Sequence, residues 1–221
     1  MTAPLLIFGA GGSARETAWL GDCIFEASRG GPVAAFVDRD DSPLLGRELL
    51  GRPVLTLAEA LRRHPGAGFV AAIGDGRVRA GVAAAAEAAG FAPLTLVHPA
   101  ASLSRHVRLG PGTQVCAGAV LTCDIAVGRH VQLNLGCTVS HDTEIGDFAT
   151  LSSGVHVSGN VRIGAFATLG VGAAVVNGRP GRPLVIGDGA VIGAQACVTG
   201  DVAPGDTVVG VPARSRKPSA Y

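Results

Sequence analysis

Residues 121–163 read LTCDIAVGRHVQLNLGCTVSHDTEIGDFATLSSGVHVSGNVRI, and this stretch decides the fold. An aliphatic side chain stands at every sixth position, and the same row continues on both sides of the stretch. Its members are Leu103, Leu109, Val115, Leu121, Val127, Leu133, Val139, Ile145, Leu151, Val157, Ile163, Leu169 and Val175. A period of six predicts a parallel β-helix, in which each coil is too thin for its own core and buries its aliphatic side chains against its neighbours.

A second row, four residues further on in each hexapeptide, consists mostly of small or β-branched side chains. It contains Thr113, Ala119, Ile125, Val131, Cys137, Thr143, Ala149, Val155, Val161, Ala167 and Ala173. We expect this second row to point inward as well.

A longer period of eighteen is superimposed on the six. Aliphatic-Gly pairs recur at Leu109-Gly110, Val127-Gly128, Ile145-Gly146 and Ile163-Gly164. Three hexapeptides therefore form one coil with a triangular cross-section. The next pair, Ile186-Gly187, follows after 23 residues, so the five extra residues predict an external loop within 178–183. Pro204-Gly205, eighteen residues beyond Ile186-Gly187, predicts one more regular coil.

The first hundred residues instead alternate strand and helix patterns. The predicted strands are Leu5–Phe8, Val33–Asp38, Phe69–Ile73 and Leu94–Val97, and the predicted helices are Ser13–Glu26 and Val78–Ala89. This order is typical of a small parallel α/β domain. We therefore expect a Rossmann-like βαβ domain over residues 1–98 and a β-helix domain with a C-terminal tail over residues 99–221.

Composition excludes several classes of function. The formal net charge is only +1, which gives no electrostatic footprint for nucleic acid or for an acidic membrane surface. No stretch approaches the roughly 20 apolar residues of a membrane span. Five cysteines without a CxxC pair indicate reduced thiols, so we expect a cytoplasmic protein.

Six short motifs, in this order, make the chain resemble a known family. They are Leu5-Leu6-Ile7-Phe8-Gly9-Ala10-Gly11-Gly12, Phe36-Val37-Asp38, Ala72-Ile73-Gly74-Asp75, His141-Asp142, Ser158-Gly159-Asn160-Val161 and Gly210-Val211-Pro212-Ala213. The chain is similar to the hexapeptide-repeat sialic-acid O-acetyltransferases and nucleotide-amino-sugar N-acetyltransferases (NeuD/PglD-like). This resemblance implies a left-handed helix and acetyl transfer from acetyl-CoA to a sugar amine or hydroxyl in surface-glycan biosynthesis, without a metal. It also implies a homotrimer, with CoA lying between adjacent helices.

His141 is the candidate general base. It lies two positions after the inward Val139, so its imidazole should point outward, and an imidazole that titrates near neutral pH is suited to accept a proton from an attacking amine or hydroxyl. The resemblance gives Asp142 the role of orienting the ring and Asn134 a place at the acceptor site. The alternatives are that His141 and Asp142 decorate a turn and that Asn134 is a structural turn residue.

The resemblance also implies the CoA contacts. Gly159 matches a position whose backbone N–H holds the thioester carbonyl, and its alternative is a corner glycine with positive φ. Val171, Gly193 and Ala194 are expected to contact CoA mainly through their backbone. Arginines in the external loop (Arg179, Arg182) and basic residues of the tail (Arg214, Arg216, Lys217) either meet CoA phosphates or are solvated.

One position departs from the family. Relatives often carry a second histidine nine residues after the first, where this chain has Thr150. His156 is either a partial substitute or a plain surface histidine. Histidines on one face of the coil must differ by multiples of eighteen; since His106, His130, His141 and His156 do not, we expect no zinc site.

The segment Gly9-Ala10-Gly11-Gly12-Ser13-Ala14 fits G-x-G-x-x-A, with Asp38 ending the next strand. That pattern suggests NAD, but the domain is too short for two mononucleotide halves and favours a single nucleotide. The resemblance implies a nucleotide-linked sugar with its phosphates near the glycine turn. The expected substrate contacts are Gly9, Gly11, Gly12, Ser13, Asp38 and Asp75. Alternatively, the glycines only close a strand–helix turn.

Two rival functions stay open at this point. A nicotinamide oxidoreductase would use the coils as scaffold only. A non-catalytic nucleotide-sugar-binding protein would explain the loss of the second histidine at Thr150. The choice between N- and O-acetylation is also open, because a histidine base serves both.

Overall fold

The computed structural model describes residues 4–28 and 33–216. They form two compact units: the first contains the residues up to Pro99 together with Pro111–Thr113, and the second contains Ala100–Gly110 and the residues from Gln114 onward. In these described ranges, no helix is both long and apolar enough to cross a membrane.

The first unit is an α/β unit built on one sheet. The strands of this sheet are β1 (Leu5–Phe8), β2 (Val33–Val37), β3 (Glu48–Leu49), β4 (Arg52–Leu55), β5 (Gly68–Ala71) and β6 (Ala92–Pro93). The short strand β7 (Leu96–Val97) is not part of it. The helices are α1 (Gly12–Ser28), α2 (Leu57–Arg63) and α3 (Gly76–Ala88). The sheet order is β3-β4-β2-β1-β5-β6, and all neighbours are parallel except β3 and β4. Strand β1 is completely buried, as its run of four apolar residues requires.

The sequence pattern gives most but not all of these elements. Helices α1 and α3 lie within two residues of their predicted bounds, whereas only the last two residues of the predicted strand Leu94–Val97 form a strand, β7, and β6 lies before the predicted range. Helix α2 and the β3–β4 hairpin were not predicted. Helix α2 does carry a signal: Thr56 and Glu59 form a capping box, with the Thr56 hydroxyl accepting the Glu59 N–H at 3.2 Å.

The second unit is a left-handed parallel β-helix with three flat faces. Face 1 contains β10 (Gln114–Val115), β13 (Gln132–Leu133), β16 (Thr150–Leu151), β19 (Thr168–Leu169), β22 (Val191–Ile192), β24 (Thr207–Val209) and the antiparallel β25 (Arg214–Ser215). Face 2 contains β8 (Ser102–Leu103), β11 (Val120–Leu121), β14 (Thr138–Val139), β17 (His156–Val157), β20 (Ala174–Val175) and β23 (Cys197–Val198). Face 3 contains β9 (Val107–Leu109), β12 (Ile125–Val127), β15 (Thr143–Ile145), β18 (Val161–Ile163) and β21 (Leu184–Ile186).

Both predicted inward rows are confirmed. Every member of the second row, from Thr113 to Ala173, is fully buried. The first row is buried from Val115 to Val175, while Leu103 and Leu109 in the first coil are half-buried because no coil precedes them to cover them. Paired residues such as Leu121 and Val139 are eighteen apart, as the longer period predicts.

The recurrent glycine after each face 3 strand is explained by the close passage of the next coil. A Cβ on Gly146 would lie 2.5 Å from the backbone nitrogen of Ala165, a distance that real Cβ atoms do not reach. The preceding coil is also hydrogen-bonded to this one at the same corner, because the Asp147 carboxylate accepts the Arg129 N–H at 2.8 Å. Glycine at this position therefore allows the coils to stack.

The predicted external loop is confirmed, but the predicted last coil is wrong. Val161 pairs with Leu184, which leaves the five surplus residues outside the coil. In the following coil Ile186 pairs with Val202, so the spacing there is sixteen and Pro204 does not take the place of Ile186. The corner between faces 2 and 3 is two residues shorter at this point, and the Asp201 carboxylate accepts the Val185 N–H at 2.8 Å.

Candidate active site

His141 and Asp142 form a hydrogen-bonded pair at the corner that joins face 2 to face 3, which we call the 2–3 corner. His141 Nδ1 lies 2.8 Å from Asp142 Oδ2, and the two side chains are 50% and 59% exposed. Asp142 has φ +55, a left-handed conformation that aspartate tolerates better than most residues. Its N–H donates to the carbonyl of Cys123 one coil earlier, at 3.3 Å.

This hydrogen bond assigns the tautomer of the histidine. A carboxylate accepts, so Nδ1 carries the proton, and the Nε2 of the neutral ring is left with its lone pair. Because both side chains are about half exposed, a substrate can approach the pair from solvent. The pair can therefore accept a proton at Nε2 and hold the resulting imidazolium against the Asp142 carboxylate.

Gly159 lies one coil after His141 at the same corner. The Asn160 N–H donates to the His141 carbonyl at 3.0 Å, which fixes the two coils at this point. A Cβ on Gly159 would lie 2.5 Å from His141 Cε1 and 2.6 Å from Nε2. The imidazole therefore lies directly against the α-carbon of Gly159, where only glycine leaves room for it.

The alternative explanation of Gly159, a corner glycine with positive φ, is wrong. The left-handed residue of this corner is Asn160, with φ +58, and Gly159 is not left-handed. Among the residues that the structure describes, the Gly159 N–H has no acceptor, whereas its carbonyl accepts the Gly178 N–H at 3.0 Å. That free N–H is a donor beside the histidine ring.

The other predicted residues of the β-helix lie at the corner between faces 1 and 2, the 1–2 corner. Asn134, Val171, Gly193 and Ala194 all follow face 1 strands there, and Val171 is 57% exposed. Its carbonyl accepts the Gln195 N–H at 2.8 Å. No hydrogen bond in the described ranges links Asn134 to His141 or Asp142, so in one chain the predicted residues occupy two edges on either side of face 2.

The position that differs from the family lies away from the 2–3 corner. Thr150 is in β16 on face 1 and is buried. His156 is exposed on face 2, where its Nδ1 lies 2.8 Å from Thr138 Oγ1. Among the described residues, no cluster of three His, Cys, Asp or Glu side chains has the geometry to hold a metal ion.

A cavity of about 660 Å³ opens in the first unit at the carboxyl ends of β1, β2 and β5. Because β2 and β5 flank β1 on opposite sides, this is the switch point at which open α/β sheets bind ligands. Gly9, Gly11, Gly12, Ser13 and Asp38 all line it.

The glycines of this turn have different roles. Gly9 has φ +117, and a Cβ there would lie 3.1 Å from the Ala72 carbonyl oxygen, so the turn itself requires glycine. A Cβ on Gly11 or Gly12 would meet nothing within 4 Å. The fold needs the first glycine, whereas the other two keep the mouth of the cavity open.

The two predicted acidic contacts also differ. Asp38 lines the cavity and is held in place, since its carboxylate accepts the Ser42 hydroxyl at 2.6 Å and the Arg39 N–H at 3.0 Å. Asp75 is instead the N-cap of α3 and is not among the cavity-lining residues. Its carboxylate accepts the N–H groups of Val78 and Arg77, and these bonds lower the pKa of Asp75.

One buried residue that supports the wall of this cavity was not predicted from the sequence. Arg79 in α3 is completely buried, and its Nη1 donates to the carbonyls of Ile73 and Gly74 at 2.6 and 3.0 Å. Both of those residues line the cavity. Burial lowers the pKa of Arg79 to about 10, so it is charged at neutral pH. No sequence signal distinguishes it from the exposed Arg77 in the same helix.

Comparison with known proteins adds the following. No protein-family model matches the chain, and no curated protein matches it. Among solved structures, WeeI from Acinetobacter baumannii AYE is 31% identical with a TM-score of 0.90, over 97% of this chain and 100% of that one. The acetyltransferase domain of PglB from Neisseria gonorrhoeae FA1090, in complex with acetyl coenzyme A, is 30% identical with a TM-score of 0.85, over 98% and 100%.

A third similar structure contains CoA and a nucleotide-linked sugar. PerB from Caulobacter crescentus, a perosamine N-acetyltransferase in complex with CoA and GDP-perosamine, is 31% identical with a TM-score of 0.85, over 98% of this chain and 99% of that one. Variants of that enzyme with a histidine changed to Asn or Ala also match.

Proposed function

Since the chain belongs to the hexapeptide-repeat sugar acetyltransferases of the NeuD/PglD-like family, we propose that it transfers the acetyl group of acetyl-CoA to an amine of a nucleotide-linked sugar. One observation carries the assignment of the active site. The imidazole of His141 is bound to Asp142 at Nδ1 and lies against Gly159, which has a free N–H.

His141 acts as the general base. As the acceptor nitrogen attacks the thioester carbonyl, it becomes acidic, and Nε2 accepts its proton. Asp142 stabilises the imidazolium through Nδ1 and prevents the ring from presenting Nε2–H instead. The collapse of the tetrahedral intermediate then breaks the carbon–sulfur bond, and His141 returns the proton to the departing sulfur.

The backbone N–H of Gly159 stabilises the negative charge that develops in the transition state. Negative charge develops on the carbonyl oxygen during the attack, and a preorganised N–H directed at that oxygen stabilises the transition state. Since the Gly159 N–H has no acceptor among the described residues, it is available for this bond. No covalent enzyme intermediate is required, and Cys137 could not easily form one, because burial raises the pKa of its thiol to about 11.

The cavity of the first unit binds the nucleotide part of the acceptor. Its volume suits a nucleotide-sized ligand, and the N-terminus of the seventeen-residue helix α1 offers free N–H groups and a positive dipole end to a diphosphate. Asp38, fixed by Ser42, is placed to accept hydrogen bonds from the ribose or the base. Binding of GDP-perosamine by PerB supports a nucleotide-linked amino sugar.

The enzyme works as a homotrimer in the cytoplasm, and its product serves surface-glycan biosynthesis. The predicted residues support the trimer: His141, Asp142 and Gly159 lie at the 2–3 corner, and Asn134, Val171, Gly193 and Ala194 lie at the 1–2 corner. Packing of parallel prisms about a threefold axis can bring the 1–2 corner of one copy opposite the 2–3 corner of the next. CoA then lies between two copies.

The test is CoA release from acetyl-CoA, followed with a thiol reagent, with GDP-perosamine, free amino sugars and sialic acid as acceptors. We expect turnover with a nucleotide amino-sugar and a loss of about 10²- to 10⁴-fold in His141→Ala. His156→Ala is the matched control, because it removes an exposed histidine from the neighbouring strand and should leave turnover unchanged. Binding of nucleotide sugar without turnover would favour the non-catalytic alternative.

A further inference from the structure

The five-residue insertion at the 2–3 corner forms a small hairpin closed by two backbone hydrogen bonds. Arg179 and Arg182 exchange two backbone hydrogen bonds, with N···O distances of 3.0 and 2.9 Å. Pro180 and Gly181 make the turn, and Gly181 has φ +74, as a proline–glycine turn requires. We call residues Arg179–Arg182 the arginine hairpin.

The hairpin is anchored directly beside the catalytic corner. On one side of it, the Gly178 N–H donates to the Gly159 carbonyl, and on the other the Leu184 N–H donates to the Asn160 carbonyl, each at 3.0 Å. The register of β18 and β21 is unchanged by the insertion. The chain therefore adds these residues at one point of the corner without disturbing the coil that positions His141.

The two arginines form a like-charged pair on one side of the hairpin. Residues that exchange both backbone hydrogen bonds lie directly opposite each other, and their side chains point to the same face. Two positive charges in such a pair destabilise it. In the described part of the chain neither arginine takes part in an ion pair, and both are exposed. An anion between the two guanidinium groups would remove this repulsion.

The hairpin shares a cavity with the active site. This cavity of about 560 Å³ on face 3 is lined by Arg179, Arg162 and Arg108 as well as by Asp142. The other carboxylates that line it are Asp124 and Glu144, and Glu144 Oε2 faces Arg162 Nε at 3.4 Å. Glu144 is paired with Arg162 and Asp142 is bound to His141, whereas Arg179 has no ion-pair partner in the described ranges. Arg182 does not line this cavity but lines a neighbouring one together with Arg179.

We infer that the arginine hairpin binds a phosphate group of a substrate during acetyl transfer. Guanidinium groups match phosphate oxygens in a bidentate geometry, and the backbone hydrogen bonds of the hairpin hold the two arginines opposite each other before any ligand binds. Both substrates of the proposed function, on which this inference rests, carry phosphate: acetyl-CoA has a pyrophosphate and a 3′-phosphate, and a nucleotide sugar has a diphosphate. The shared chemistry is the phosphate, and the sources are separated below.

The test compares two variants with one control. Arg179→Ala/Arg182→Ala removes both charges, and deletion of residues 179–183 restores an eighteen-residue coil. Arg47→Ala/Arg62→Ala removes the same charge at two exposed positions in the first unit. KM and kcat are measured for acetyl-CoA, acetyl-dephospho-CoA and GDP-perosamine. Thermal melts check that each variant folds, and calorimetry gives the affinities for CoA and GDP.

We expect KM for one substrate to rise about ten- to hundredfold in both hairpin variants, with kcat nearly unchanged and the control unaffected. A rise for acetyl-CoA that disappears with acetyl-dephospho-CoA assigns the 3′-phosphate, and one that persists assigns the pyrophosphate. A rise for GDP-perosamine assigns the sugar diphosphate. Wild-type KM values for all three substrates in both hairpin variants would overturn the inference.

The proposed function can fail separately. If the wild-type protein transfers no acetyl group, that function is wrong, and calorimetry with CoA and with GDP still tests the hairpin. Weaker binding of either ligand to both hairpin variants, but not to the control, supports the inference. Equal binding by all four proteins refutes it.

Discussion

Replacement of Gly159 by alanine should disable the histidine without unfolding the protein. The added Cβ would lie 2.5 and 2.6 Å from two atoms of the His141 ring, whereas carbon atoms in ordinary contact are about 3.5 to 4.0 Å apart. The ring must therefore move by about 1 Å. It is half exposed and can do so, but Nε2 then leaves its position relative to the Gly159 N–H, and the bond from Nδ1 to Asp142 is strained or lost.

The magnitude follows from that displacement. A misplacement of about 1 Å can cost about 10²-fold in rate, and complete loss of a general base costs about 10²- to 10⁴-fold. Stability should change little, because Gly159 is not left-handed and the three atoms nearest to the added Cβ all belong to the movable ring of His141. We expect a change in unfolding free energy within about 1 kcal/mol.

The assay is kcat/KM for CoA release, together with urea denaturation. Gly200→Ala is the matched control, because it lies at the same corner two coils later, where a Cβ would meet nothing within 4 Å. The double variant Gly159→Ala/His141→Ala should be no slower than His141→Ala alone, since the ring that clashes is gone. Near-normal activity of Gly159→Ala, or a double variant much slower than His141→Ala, would refute the reasoning.

Three further predictions concern single side chains. Asp142→Asn should lower kcat by about 10²-fold or more, because an amide that donates to Nδ1 moves the ring proton to Nε2; a kcat near that of the wild type would contradict the tautomer assignment. Gly12→Val should leave the melting temperature unchanged and raise KM for a nucleotide sugar about tenfold, since the valine side chain would occupy open space in the cavity. An equal rise in KM for acetyl-CoA would contradict the assignment of this cavity to the nucleotide sugar. Asp75→Ala should lower the free energy of unfolding by about 0.5 to 2 kcal/mol at pH 7, with Asp75→Asn as a control that keeps the cap. The backbone hydrogen bonds of the cap lower the pKa of Asp75 in the folded state. The stability that the Asp75 carboxylate contributes is therefore complete at pH values above its unfolded pKa of about 3.9, and it is lost as the pH falls through the lower folded pKa. Urea denaturation near pH 2 should accordingly show a smaller difference in unfolding free energy between the wild type and Asp75→Ala.

The β-helix could be predicted from the sequence because the pairing of its strands follows from a constant number of residues in each coil. Each inward residue repeats after eighteen, and an insertion changes the count by its own length, as Leu184 shows. The eighteen-residue spacing fails at the last coil, where Val202 and not Pro204 pairs with Ile186. The corner there is two residues shorter, and the Asp201 carboxylate, in place of a backbone carbonyl, accepts the Val185 N–H. A hydrogen bond of that kind leaves no periodic trace.

The candidate site was only partly accessible to the same reasoning. His141 could be placed on the outside because its phase relative to Val139 is known. The requirement for glycine at position 159 could not be predicted, because it arises from the His141 ring of the previous coil, which packs against Gly159. Arg79 was missed for a related reason: its partners are carbonyl groups, which every residue has. Contacts between side chains and backbone follow from the folded geometry and have no composition signal.

The stacking of coils at the 2–3 corner has an evolutionary consequence. Cys123, His141, Gly159, Asn177 and Gly200 occupy successive levels of one column there. Neighbouring strands in a sheet are about 4.8 Å apart, so the interval between levels is set by backbone hydrogen bonds and not by the side chains that the column carries. A substitution at one level can introduce a new chemical group at a fixed distance from the histidine while the others keep their places. Such a column allows selection to vary the acceptor without having to rebuild the catalytic geometry.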